Sequence, residues 1–142
     1  MSIYLENFRC HTNGKYEIPS NGLVSITGNS GQGKSSLLNS IVYALYGSKL
    51  IRRPYTHGKK SCKVVFEFED MVITRTSSPN RLLLKYKDKE YEDAAAQGMI
   101  EQIMGMNYNE FLVSSYIVQR KNNSVLSMSP LDKVKFIETL AF

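Results

Sequence analysis

Two periods organise the hydrophobic positions of the chain: alternation by twos, which predicts strands, and recurrence at about 3.6 residues, which predicts helices. Ile3, Leu5 and Phe8 mark a first strand over Ser2–Phe8. Tyr16 and Ile18 alternate in a second, closed by the turn formers Pro19, Ser20, Asn21 and Gly22. Leu23–Thr27 is a short, mostly apolar run and reads as a buried strand. After a glycine-rich stretch, Leu37, Leu38, Ile41, Val42 and Leu45 recur at helical spacing, and Gly47 is a fitting stop.

Alternation returns at Val64, Phe66 and Phe68, followed by Met71–Thr76 and Arg81–Tyr86, which together predict an antiparallel meander. Ala94–Met104 is helical in character, Asn109–Ser114 predicts a short helix, and Tyr116–Val118 a brief strand. The last segment starts clearly, with Ser129 as N-cap, Pro130 at the first helical position and Asp132 at N3. Leu131, Val134, Ile137 and Leu140 then share one face. That pattern reaches Phe142 without a stop signal, so the helix is expected to continue in a longer protein; a natural C-terminal helix about three turns long is the alternative.

Composition narrows the setting. A chain of 142 residues, 42% hydrophobic and 22% charged, suits one globular domain. Cys10 and Cys62 form neither a disulfide framework nor a CxxC metal spacing, and reduced thiols in a cytosolic or nuclear compartment are the simplest reading. No apolar run resembles a signal peptide or a membrane span, so the expectation is a protein of the cytoplasm, nucleoid or nucleus, not secreted and without a membrane partner. The net charge of +5 suits a polyanion such as DNA or simply solubility. His11 and His57 sit in no ligand-spaced cluster and read as ordinary polar residues.

The chemistry concentrates in Gly28-Asn29-Ser30-Gly31-Gln32-Gly33-Lys34-Ser35, which matches the P-loop pattern G-x-x-x-x-G-K-[ST]. Each part answers a need of phosphate binding. Glycines let backbone N–H groups curl around an anion, because residues with a Cβ disfavour the required positive φ. The following helix points free donors and its positive dipole end at the same place. Lys34 adds a mobile charge for the β- and γ-phosphates, and the Ser35 hydroxyl can ligate Mg²⁺. The loop also lies between a predicted strand and a predicted helix. ATP with Mg²⁺ is the expected ligand.

The flanks specify a family. Asn7-Phe8-Arg9-Cys10-His11 and the run from Gly28 to Ala44-Leu45-Tyr46-Gly47 resemble the heads of the SbcC / Rad-fifty repair ATPases, SMC-like members of the ABC superfamily, which carry N-F-R-S-H, G-K-S-[ST] and a helix ending A-L-Y-G. Chromosome-structuring relatives share the loop but usually diverge at that helix end. Phe111-Leu112 and Tyr116-Ile117-Val118-Gln119 resemble the family's Q-loop, and Lys133–Leu140 the helix leading into its long coiled coil. The resemblance covers nearly the whole chain. It implies an α/β (α+β) P-loop NTPase fold, the N-terminal lobe of an ABC-ATPase head with an antiparallel meander, over residues 1–142.

Position by position, the resemblance makes Arg9 a phosphate contact and Ser30, Gly31, Gln32, Gly33, Lys34, Ser35 and Ser36 the cradle. Thr56 would lie near the nucleotide. Gln119 would reach Mg²⁺ and the attacking water, acting in catalysis with Lys34, while Ser35 and Gln119 would ligate the metal. Two departures stand out: Ser30 replaces a common asparagine, and Arg120 follows Gln119 where glycine is common.

An ABC head needs parts this sequence does not carry. The apolar run ending in Asp-Glu is absent, and Val64–Asp70, with acids alternating among apolar residues, reads instead as a strand with one wet face. The serine-glycine signature is absent too. In the family both belong to the C-terminal lobe, so this chain is expected to bind nucleotide and to hydrolyse little alone. The implied partners are that lobe, a second head, an SbcD-type nuclease and DNA. Arg81, Lys85 and Lys87, opposite in parity to Leu82, Leu84 and Tyr86, mark a solvated face that could contribute salt-sensitive phosphate contacts. The alternatives are a chromosome-structuring SMC-type head, or a stand-alone small P-loop kinase or GTPase. The latter would need an internal Walker B-type Asp or an N-K-x-D motif, and neither is apparent.

Overall fold

The computed structural model describes residues 1–116 and 129–141, which fall into two compact units, Met1–Ile103 and Met104–Phe142. The first unit is built on one six-stranded antiparallel sheet. Its strands are β1 (Ser2–Phe8), β2 (His11–Glu17), β3 (Lys63–Phe68), β4 (Met71–Ser77), β5 (Asn80–Tyr86) and β6 (Lys89–Glu92), in the order β2-β1-β3-β4-β5-β6. The meander appears as the alternation predicts, with the short β6 added at its edge.

Register turns the alternation into a core. Ile3 pairs with Phe66, Phe66 with Ile73 and Ile73 with Leu84, so one apolar row crosses four strands. Leu5, Val64, Arg75 and Leu82 form the next row. All eight are buried. Helix α1 (Lys34–Tyr46) lies against β1, β3 and β4 and buries Leu37, Val42, Tyr43 and Leu45. Gly47 ends it, at φ 71°, with its N–H donated to the Tyr43 carbonyl.

Arg75 is the one charged member of those rows. Its Nε donates to the Ala44 carbonyl at 3.1 Å, and one Nη donates to the Leu45 carbonyl at 3.4 Å and to Gln97 Oε1 at 2.7 Å. Gln97, on α2 (Asp93–Met104), donates in turn to Leu45 O at 3.1 Å. The last carbonyls of α1 thus receive a cation where the helix dipole favours one. Burial pushes the guanidinium pKa down to about 10, still far above neutrality. This contact anchors the end of α1 to the meander.

One expectation fails. Leu23–Thr27 is not a strand: it has no regular structure, Leu23 is fully exposed and Val24 is 41% exposed. A buried strand needs neighbours in a sheet, and none of the six described strands pairs with this segment.

In the second unit, Asn107 caps α3 (Tyr108–Ser114). Its side chain accepts from the N–H groups of Asn109 and Glu110, while Glu110 reaches back to the Asn107 N–H at 2.6 Å. Phe111 stacks on Tyr116, which has no regular structure; Ile117 and Val118 of the expected strand lie outside the described residues. Helix α4 (Pro130–Ala141) begins at the expected cap, with the Lys133 N–H donated to Ser129 O, and exposes Leu131, Val134 and Ile137. No helix among the described residues is long and apolar enough to cross a membrane.

Candidate nucleotide site

The glycine-rich loop runs directly into α1. Leu37 N–H bonds to Gly33 O at 2.9 Å, the first intrahelical bond, so the N–H groups just before it are the orphan donors of a helix start. No side chain caps this end and no acid occupies the first turn. The positive end of the helix dipole is therefore uncompensated, which suits an anion.

The loop holds its own shape. Gln32 Oε1 accepts the Asn29 N–H at 2.9 Å, and Lys34 Nζ donates to the carbonyls of Gly28 at 2.8 Å and Asn29 at 2.7 Å. The lysine thus arches along the loop with its ammonium over the carbonyl edge. Gly31 has φ 83° and open space beyond, so only the backbone conformation demands glycine there. Gly33 is tighter. Its φ is 91°, and a Cβ would meet Cys10 Sγ at 2.5 Å and His11 Nε2 at 2.7 Å. Ser30, Gly31, Gln32 and Ser35 are exposed, while Gly33, Lys34 and Ser36 are half-buried.

One other segment, Pro54-Tyr55-Thr56, packs on the β1–β2 turn. Asn7 and Arg9 both take the left-handed conformation, at φ 50° and 54°. The Arg9 N–H donates to Pro54 O and the Thr56 N–H to Asn7 O, each at 2.7 Å, and Phe8 bridges to Tyr55. Arg9, with an exposed side chain, and Thr56 therefore share one neighbourhood although 47 residues separate them in sequence. Thr56 Oγ1 is buried, and no partner for it occurs among the described residues. A buried hydroxyl of that kind is a natural acceptor or donor for a polar ligand group.

The turn is also tied to the loop. His11 Nε2 lies 3.2 Å from Gly33 O, and its Nδ1 lies 2.7 Å from the Tyr16 hydroxyl. The sequence reading of His11 as an ordinary polar residue misses this contact. The available signal is its place two residues beyond Arg9. Gln119 lies outside the described residues.

Comparison with known proteins follows the same lines. An AAA domain family profile matches residues 2–141. Uncharacterized protein 094L of Invertebrate iridescent virus 3 is 35% identical over 99% of this chain and 16% of its own length. Uncharacterized protein 050L of Invertebrate iridescent virus 6 is 33% identical over 100% of this chain and 12% of its own. A protein of Methanocaldococcus jannaschii named DNA double-strand break repair Rad50 ATPase is 32% identical over 97% of this chain and 15% of its own. The chain thus spans less than a fifth of the length of these relatives.

Proposed function

The chain belongs to the AAA domain family and resembles a Rad50 ATPase over nearly its whole length, and on that premise we propose that residues 1–142 are the ATP-binding N-terminal lobe of an SMC-like repair ATPase head. The observation that carries this reading is the Gly28–Ser35 loop, braced on itself and feeding an uncapped, acid-free helix start. The loop N–H groups and Lys34 hold the β- and γ-phosphates. Ser35 supplies a hydroxyl for Mg²⁺, which compensates phosphate charge when bound. Arg9 reaches the phosphates from the β1–β2 turn, Thr56 offers its buried hydroxyl to the nucleotide, and Gln119 completes the metal and water site.

The rest of the head lies in a C-terminal lobe. Leu23–Thr27, mostly apolar and exposed except for the half-buried Ile26, supports this, because it has the composition of a strand and no sheet among the described residues. That lobe brings the acid that polarises water and the signature segment for an opposite head. Two heads then close on two ATP molecules, clamp DNA and regulate an SbcD-type nuclease. The exposed Leu131, Val134 and Ile137 of α4 are the start of the coiled coil that transmits the cycle.

Calorimetry with ATP-Mg²⁺ tests the reading. Lys34→Ala is expected to weaken binding by at least about tenfold, since a charge-assisted contact is removed. Unchanged affinity would remove the loop from the site.

A further inference from the structure

We propose that His11 is a positioning residue of this nucleotide site: its ring, set by Tyr16, fixes the Gly33 carbonyl and thereby the direction of the Lys34 N–H. The inference rests on the phosphate-cradle reading of the loop and extends it to the hairpin beneath.

Proton bookkeeping fixes the ring. A carbonyl oxygen only accepts, so Nε2, 3.2 Å from Gly33 O, must carry a proton. In the neutral ring Nδ1 is then an acceptor, and the Tyr16 hydroxyl donates to it across 2.7 Å. Gly33 O already accepts the Leu37 N–H, and its second lone pair serves His11. Tyr16 reaches the histidine edge-on, with ring centroids 5.4 Å apart, by lying across Gly14. A Cβ at Gly14 would sit 3.0 Å from the tyrosine ring and hydroxyl. Glycine therefore makes the slot, tyrosine fills it, and histidine is held in one tautomer.

The consequence passes through a peptide plane. In a trans peptide the C=O and the following N–H point in opposite directions. Holding Gly33 O against the hairpin turns the Lys34 N–H away from it, among the donors of the helix start. The same hairpin carries Arg9, two residues before His11, so the bracket keeps the arginine turn and the loop donors in one frame. Contact is close on both sides, since Cys10 and His11 leave no room for a Cβ at Gly33.

The test uses this chain with ADP-Mg²⁺ and ATP-Mg²⁺ as probes, with Lys34→Ala as reference. His11→Ala is expected to weaken both nucleotides about three- to tenfold, the worth of one hydrogen bond. His11→Gln, whose amide can place an N–H near the same point, is expected to stay within about twofold of the parent by the same scale. Imidazole ¹⁵N shifts of the unsubstituted protein should show the proton on Nε2, and it should stay there in Tyr16→Phe, where Gly33 O still accepts from it. That signature needs no His11 variant to fold, and a purely space-filling role would not produce it. Full binding by His11→Ala while Lys34→Ala has lost it would overturn the inference alone. So would a glutamine variant as weak as the alanine one, or a proton on Nδ1. Unchanged binding by Lys34→Ala would instead overturn the cradle reading, and the inference with it.

Discussion

The β3–β6 meander and the stretch from Leu23 to Gly33 both begin from strand-like apolar sequence, yet only the meander closes on itself. In the meander each strand pairs with the next one in sequence, and only the outer edge of β3 turns to β1, so most of its backbone groups and its Phe66–Ile73–Leu84 row are satisfied locally. Leu23–Thr27 has equally apolar residues and lies open, with Leu23 wholly exposed. Alternation or apolarity says that a segment belongs in a sheet. It does not say which chain segment supplies the sheet.

The sharpest way to break this comparison is kinetic. If the open segment awaits a second lobe, residues 1–142 alone should release negligible phosphate from ATP, with turnover restored when a C-terminal lobe is added. Each missing transition-state contact is worth about 10²–10³ in rate. In the reconstituted head, Gln119→Ala should spare ATP binding and lower hydrolysis by a factor of that order, because its proposed task arises at the transition state. Phosphate release measured against Lys34→Ala as a contamination control decides both points. Robust Lys34-dependent turnover by the chain alone would mean that the open segment needs no partner.

The next effect is on stability and confined to the closed region. Ile73 is fully buried at the centre of the four-strand row. Ile73→Ala should cost about 2–5 kcal/mol, from lost burial plus the cavity left behind. Urea unfolding followed by far-ultraviolet dichroism reads this, with tyrosine emission as a second probe because the chain has no tryptophan. A loss below about 1 kcal/mol would show that the row collapses around the gap rather than holding a fixed shape.

Arg75→Met should cost somewhat less, about 2–3 kcal/mol, by leaving the Ala44 and Leu45 carbonyls without their cation. The aliphatic stem is retained, so the loss reports the hydrogen bonds rather than packing. If the same variant also weakened ATP binding, the anchor at one end of α1 would be shown to set the geometry of the loop at the other. Calorimetry on the folded variant makes that distinction.

These residues mark what the sequence makes legible. Ser2–Phe8, the meander and the Ser129-Pro130 start of α4 are readable because alternation and capping are local properties. The P-loop is readable for a similar reason, since its chemistry is written in eight consecutive residues. Arg75 is not. Its parity places it with Met71 and Ile73, but the carbonyls and the Gln97 amide that make burial tolerable come from segments more than twenty residues away. His11 and Thr56 are obscured in the same way, their partners being Gly33, Tyr16 and Asn7 across turns that no periodicity encodes. Leu23–Thr27 shows the opposite error: the local signal is clear, and what it lacks is a neighbour.

The smallest expected effect is therefore the most discriminating. Leu23→Asp should change the stability of residues 1–142 by no more than about 0.5 kcal/mol, the usual range for an exposed site away from packing, caps or charge networks. The side chain is fully exposed and the segment has no regular structure, so nothing is there to lose. Reduced exposed apolar area should also leave the chain less prone to self-association. With the proposed C-terminal lobe present the substitution should become unfavourable, because a carboxylate carried into a sheet interior would be either desolvated or excluded. Association of the two lobes should then weaken by well over tenfold, and urea unfolding beside a lobe-binding titration separates the two regimes. A variant that destabilised the isolated chain by 2 kcal/mol or more would mean that Leu23 is already packed within it, and the contrast between the closed meander and the open segment would fall.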